Sequence, residues 1–330
     1  MPIIGAARAL LTTSLALFAF AGQPAWAQDA AANFPNRPIR VIVGFAAGGG
    51  NDLFARLVGQ KLSEILKQPV VIENKPGAGG RLSAEFVARE PADGYTLLVG
   101  ASGMMSIAAA TLPKLSYHPT KTFTPLSMIA NFPLIMVIPA SNPSKTVKEV
   151  VEWAKAHPDK ANYATTSPAF TITTELLKLK TGMPGVAITY KSSNEMLLSV
   201  IGEQTLLAMP DGPPAVPMVK SGKVRAVAVT GSVRSSELPD VPSMAEAGYP
   251  EVDVYLWSGF FTLAATPPAI AAKLEAALQQ AIKDPGVSGK LKAMAVNPGG
   301  TSSQEFRRMI DADIEKFTAV AKAANLTFGD

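Results

Sequence analysis

"RVIVGFAAGGGNDLFARLVGQKL", Arg40 to Leu62, decides the fold. A short run that is apolar on both faces, three successive glycines and an Asn-Asp pair lead into a helical repeat. That order is strand, tight turn, helix, the opening unit of an α/β sheet. Leu53, Phe54, Leu57, Leu62 and Leu66 mark one face of a helix predicted over residues 51–66.

The scheme repeats along the chain. "PVVIENK" (69–75) precedes a helical segment at 81–90, and "YTLLVGAS" (95–102) supplies a third strand. A second set runs from about Asn131, with strands at 133–139, 161–167, 186–191, 205–211 and 224–231 separated by helices at 146–158, 173–182 and 193–203. A strand-like stretch at 252–264 and helices at 268–284 and 302–324 close the sequence; Ser302 and Glu305 have capping-box spacing. The pattern predicts two α/β lobes, each a mainly parallel sheet flanked by helices, with the chain returning to the first lobe at its end. Lobe 1 is expected over 34–130 plus 252–330 and lobe 2 over 131–251, with a cleft between them.

The first 27 residues have a different character. Arg8 lies near the start, an apolar run extends from Leu10 to Gly22, and Ala25 and Ala27 bracket Trp26, so residues 1–27 read as a secretory signal peptide cleaved after Ala27. The reading makes the mature protein an exported one. The 330 residues are 48% hydrophobic and 17% charged and contain no cysteine, which excludes disulfides, thiol nucleophiles and Cys-ligated metals. The formal charge of +4 is scattered rather than clustered and carries little aromatic interleaving, so no nucleic-acid partner is expected.

Catalytic constellations are scarce. The two histidines, His118 and His157, each stand alone beside a proline. No His-Glu-x-x-His, Gly-x-Ser-x-Gly or Gly-x-x-x-x-Gly-Lys-Ser/Thr motif occurs, and Leu53 stands where a dinucleotide fingerprint counted from Gly48 requires its last glycine. "PGAGGRL" (76–82) fails likewise at Leu82. A secreted α/β hydrolase is therefore the weaker alternative, and no cofactor or metal is expected. What remains is a glycine turn before a helix N-terminus, where backbone amides and the helix dipole favour an anion. The plain alternative is a tight turn with Asn51 or Asp52 as N-cap. Ser102-Gly103, Thr165-Thr166-Ser167 and Asp211 follow other predicted strands, and ligands in open parallel sheets sit outside such strand ends.

"FPNRPIRVIVGFAAGGGNDLFARLVGQKLSE", "QPVVIENKPGAGG", "AREPADGYTLLVGASG", "GKVRAVAVTGSVRSSELPDVPSMAEAGYP" and "TPPAIAAKLEAAL" together resemble the Bug family, from about Phe34 to the C-terminus. Its members are periplasmic solute-binding proteins of tripartite tricarboxylate transporters. The resemblance implies a two-lobed Venus-flytrap fold that closes on a small organic carboxylate without catalysis, acting as a monomer with permease subunits or a sensor ectodomain. It places the carboxylate on the loop Phe45, Ala46, Ala47, Gly48, Gly49, Gly50, Asn51 and Asp52, beside Ser102 and Gly103, and on the loop after "NY" that holds Thr165, Thr166 and Ser167.

Several residues depart from the family pattern. Ala46-Ala47 stand where members carry Pro-Pro, Met104-Met105 replace Thr-His, and Phe170 lies in a shortened second-lobe loop. Leu206-Leu207 replace Val-Asp, with Asp211 nearby. These exchanges predict a ligand with an apolar or aromatic body and a carboxylate at one end, Met104, Met105 and Phe170 facing it; the competing reading makes those three ordinary core residues.

Overall fold

The opening stretch folds as strand, turn and helix. In the computed structural model, which describes residues 32–190 and 192–326, β1 spans Ile39–Val43 and α1 spans Gly50–Leu66. The signal peptide expected over residues 1–27 lies outside the described residues. β2 (Val70–Asn74) pairs parallel with β1, and α2 (Arg81–Val87) carries the chain over to β3 (Thr96–Ala101), which pairs parallel on its other side. Strands joined through helices must run this way, because a crossover returns the chain to the same end of the sheet.

A π-helical turn at Gly103–Ile107 and α3 (Ala108–Thr111) follow, then the long β4 (Phe123–Pro133). One residue later β5 (Ile135–Pro139) begins in a different sheet. That second sheet is built with α4 (Val147–Ala156), β6 (Tyr163–Thr165), α5 (Pro168–Thr181), β7 (Ala187–Thr189), α6 (Ser193–Ile201), β8 (Leu207–Ala208), α7 (Gly212–Lys220) and β9 (Val224–Val229), in strand order β7-β6-β8-β5-β9. β10 (Tyr255–Leu263) returns to the first sheet, followed by α8 (Pro268–Lys283), α9 (Pro285–Ala293), β11 (Asn297–Pro298) and α10 (Ser303–Ala323). The first sheet reads β11-β4-β10-β3-β1-β2.

Each sheet has a parallel half, β3-β1-β2 and β7-β6-β8, as expected. The other half is antiparallel: β10 opposes both β3 and β4, and β5 opposes both β8 and β9. β4 carries the chain out of the first sheet and β10 brings it back, so the two must run in opposite directions.

Alternation along the central strands divides the first core into two layers. Val41, Val43, Leu97 and Val99 face α1 and α8, while Ile42 and Leu98 face Met104, Met105, Trp257, Phe261 and Phe306. All these side chains are buried; full burial of one Leu, Ile or Phe contributes about 1.5–3 kcal/mol. α10 begins with the expected capping box between Ser302 and Glu305. Its apolar stripe serves two cores: Phe306 and Ile310 join the first sheet's layer, and Phe317, Val320 and Ala321 join the core under the second sheet. No helix among the described residues is long and apolar enough to cross a membrane.

Candidate functional site

A cavity of about 490 Å³ opens where the two sheets face each other. Every parallel strand contributes through the loop at its carboxyl end: Phe45, Gly49 and Asn51 after β1, Ala78, Gly79 and Arg81 after β2, Ser102 and Gly103 after β3. The second sheet supplies Thr166, Ser167 and Phe170 after β6, Ser192 and Ser193 after β7, and Asp211 after β8. Strand ends in an open α/β sheet present backbone amides and helix N-termini together, which is why ligands gather there.

The glycine loop is held from within. Gly48 takes the left-handed conformation at φ +80°, which a glycine adopts without penalty, and neither Asn51 nor Asp52 caps α1; the N-cap is Gly49, with no side-chain bond. Asp52 instead folds back. Its Oδ2 accepts from the Gly48 amide at 2.8 Å and Arg56 Nε at 3.0 Å, and its Oδ1 accepts from Asn74 Nδ2 at 2.9 Å. Asn74 also donates to the Phe45 carbonyl at 3.0 Å, tying β2 to the loop. The Gly49 amide is spent on the Ala46 carbonyl at 3.3 Å. The expectation that the whole loop offers its amides to a guest is therefore corrected for Gly48 and Gly49. Ala46, Ala47 and Gly50 do not line the cavity, and Asp52 is a buried brace behind it.

Burial works to raise the Asp52 carboxyl, but donation by Arg56, Gly48 and Asn74 outweighs it and holds the group below the usual carboxylate range. Such a depressed group stabilises the fold above its unfolded pKa and loses that contribution as pH falls through the folded one. Asp52→Ala should cost about 2 kcal/mol at neutral pH, the range of a buried charge-assisted hydrogen bond, measured by urea denaturation. The difference from the unsubstituted protein should begin to shrink below about pH 4, where the unfolded chain takes up the proton, and should vanish only once pH has fallen through the lower folded-state pKa.

Ser102 is buried and bonds across to β10: its amide donates to the Trp257 carbonyl at 3.0 Å, and the Trp257 amide donates to Ser102 Oγ at 3.3 Å. Met104 and Met105 follow it in the π-helical turn, and their side chains point away from the cavity into the first core, 1% and 0% exposed. The expectation that these two methionines face the ligand is not met, because a helical turn directly after Gly103 swings successive side chains inward under β3. The apolar wall comes instead from Phe45, Phe132, Phe170, Leu112, Leu256 and Trp257.

On the other side Thr165 is buried, its hydroxyl engaged with Thr171 Oγ1 at 2.9 Å and the Ser167 carbonyl at 3.2 Å, so it braces the loop rather than lining the cavity. Thr166, Ser167 and Phe170 do line it, at the N-terminus of α5.

The expected set omitted Ala78 to Arg81, the two serines 192 and 193, Phe132 and Trp257. "PGAGGRL" repeats the strand, glycine turn, helix order of the opening stretch, and that repetition was the available signal. The crossing strands carry none, since Phe132 and Trp257 look like core residues until the lobes are placed. Among the described residues no group of three His, Asp or Glu is arranged to hold a metal ion.

Comparisons with known proteins agree with this geometry. Residues 54–326 match the family described as the tripartite tricarboxylate transporter family receptor. The chain is 33% identical over 324 residues to a UPF0065 protein from the gbd 5' region of Cupriavidus necator, covering 97% of each, and 30% identical to BugT of Bordetella pertussis, covering 88% of this chain and 90% of that one. Among solved structures, an R. palustris protein with adipate superposes with TM-score 0.81 at 31% identity, covering 89% of this chain and 99% of that one. MatC from Rhodopseudomonas palustris with bound malate gives 0.78 at 31% identity, covering 87% and 99%. The two-lobed architecture, the cleft at the strand ends and these matches along most of its length make the chain a member of the tripartite tricarboxylate transporter receptor family, a solute-binding protein of the Bug type.

Proposed function

We propose that the protein is exported to the periplasm, captures a small organic carboxylate with an apolar or aromatic body, and delivers it unchanged, as a monomer, to the permease of a tripartite transporter. Residues 34–130 with 252–330 form one closing lobe and residues 131–251 the other. The observation that carries this reading is the composition of the cleft wall, where three partly exposed aromatic rings, Phe45, Phe132 and Phe170, stand with Leu112 and Leu256 around a few polar groups at strand ends. A volume near 490 Å³ suits a guest of ring size, and apolar walls with sparse polar groups are the usual form of a small-molecule site. Relatives solved with adipate and malate support an acid as the guest. Amide and hydroxyl donors bind a carboxylate without a competing formal charge, and lobe closure strengthens each bond by excluding water.

Isothermal titration with benzoate, terephthalate, adipate, malate and citrate tests the proposal. The benzoate-type acids should bind at least about tenfold more tightly than citrate, a difference of about 1.4 kcal/mol. Preferential binding of citrate would sink the apolar-body reading, and turnover of any bound acid would sink the receptor reading. Trp257 lines the cavity, so ligand binding should also change its fluorescence.

A further inference from the structure

The acidic side chain in the cleft is an odd neighbour for a bound carboxylate. Asp211 lies at the end of β8, immediately before α7, in the position of that helix's N-cap. An aspartate there ordinarily accepts from the amides of the second and third helical residues. In this chain those residues are Pro213 and Pro214, which have no N–H, and the side chain makes no capping bond. The carboxylate therefore faces the cavity, where Ser193 Oγ, itself a cavity residue, donates to Oδ1 at 3.0 Å. Depth in the cleft raises the carboxyl's pKa, against the pull of the Ser193 bond, although the side chain keeps contact with the cavity's own space.

Charge is distributed unevenly across the cavity. Among its described lining residues Asp211 is the one acid and Arg81 the one base, and they come from opposite sheets. A carboxylate guest is drawn to the Arg81 side and repelled by Asp211. A plain dicarboxylate spanning the cleft would bring two like charges together in a low-dielectric site, whereas a donor group would meet an acceptor already in position.

We propose that Asp211 is a specificity-determining residue that selects carboxylates bearing a hydrogen-bond donor, an ammonium or a hydroxyl, at the end remote from the acid, and that rejects unsubstituted dicarboxylates. This rests on the carboxylate-receptor reading above and narrows the class of acid. A site built around a buried acceptor discriminates strongly, because a guest without a donor leaves that acceptor desolvated and unpaired.

Titration of the protein with two matched series tests it. One series is 6-aminohexanoate, 6-hydroxyhexanoate, hexanoate and adipate; the other is 4-(aminomethyl)benzoate, 4-hydroxybenzoate, benzoate and terephthalate. In whichever series binds, a donor-bearing acid should exceed both the unsubstituted acid and the dicarboxylate by at least about tenfold. Ammonium and hydroxyl arms distinguish a charged partner from a neutral one. Asp211→Asn removes the charge without removing any capping bond, so it should fold with a melting temperature no lower than the parent's and favour the dicarboxylate in relative affinity. Equal or tighter binding of the dicarboxylate by the unsubstituted protein overturns the role of Asp211 and leaves the carboxylate reading standing, as does an affinity ratio unaltered in Asp211→Asn. Failure of every acid in both series to bind overturns both readings.

Discussion

Gly44→Ala should lower stability by about 3 kcal/mol, the upper part of the range for overpacking a close-packed site, and should weaken ligand binding as well. Gly44 follows β1 directly, and a Cβ there would stand 2.5 Å from Ser83 Oγ, 2.7 Å from Gly80 Cα and 2.8 Å from the Gly80 carbonyl oxygen. Two of the three obstacles are backbone. The third cannot swing aside cheaply, because Ser83 Oγ donates to the Gly80 carbonyl at 2.6 Å in a fully buried position. The requirement for glycine is thus one of spacing, set by the close approach of the turn after β2 to the end of β1. That turn carries Ala78, Gly79 and Arg81 into the cavity, so relief of the clash must displace part of the cleft wall. Urea titration should show a lower midpoint with an unchanged slope, and the affinity for the preferred acid should fall by about tenfold, since a site displaced by an ångström loses its geometry. Stability within 1 kcal/mol of the parent would mean that the turn yields freely.

In the sequence that turn is visible as the glycine run "PGAGGRL" (76–82), but nothing in it marks the turn as part of the cleft wall. The units with one clear period were legible: Leu53 to Leu66 fixed α1 within a residue, and Ser302 with Glu305 marked the start of α10. Two elements were hidden by proline. "FTPLSMIANFP" forms the eleven-residue β4 despite Pro125 and Pro133, because it is buried on both faces and so lacks alternation. "GPPAVPMVK" forms α7 with prolines in its first turn, where missing N–H groups cost nothing, and with Pro217 further in. Without α7 in view, the sequence gives no reason for Asp211 to face the cavity: the prolines at the helix start leave the aspartate no N–H to cap. For the site, strand ends were readable as a class, so Phe45, Gly49, Asn51, Ser102, Gly103, Thr166, Ser167, Phe170 and Asp211 all lie on the cavity wall. Which amides were already spent was not readable. The bond from Gly48 to Asp52 and the inward turn of Met104 and Met105 depend on local geometry that no spacing rule encodes.

Trp257→Phe should cost about 3 kcal/mol at neutral pH and distinctly less in acid. The indole is 1% exposed, and its Nε1–H donates to Asp313 Oδ2 at 2.7 Å. Burial pushes the Asp313 carboxyl up, Trp257 and Lys316 pull it back, and Asp253 adds to the rise, with a net increase. The folded protein therefore holds this proton to higher pH than the unfolded chain does. Its contribution is fully present below the unfolded pKa of about 3.9 and is lost as pH rises through the folded one. Phenylalanine keeps most of the packing against Phe261 and Phe306 but leaves the carboxylate without its donor, which raises the folded pKa further and deepens the loss at neutral pH. Below about pH 4 the acid is neutral in both states, and only the smaller ring's volume deficit remains. Asp313→Asn in the Trp257→Phe background removes the stranded charge and should recover part of the neutral-pH deficit; a deficit independent of pH would show that the indole acts by volume alone. The pair matters for the cleft because Trp257 is bonded on both its amide and its carbonyl to Ser102. Asp313 lies on α10, which packs under both sheets, so one buried hydrogen bond ties the turn at the end of β3 to the helix that joins the two lobes. Loosening it should reduce ligand affinity together with stability, even though Asp313 itself does not line the cavity.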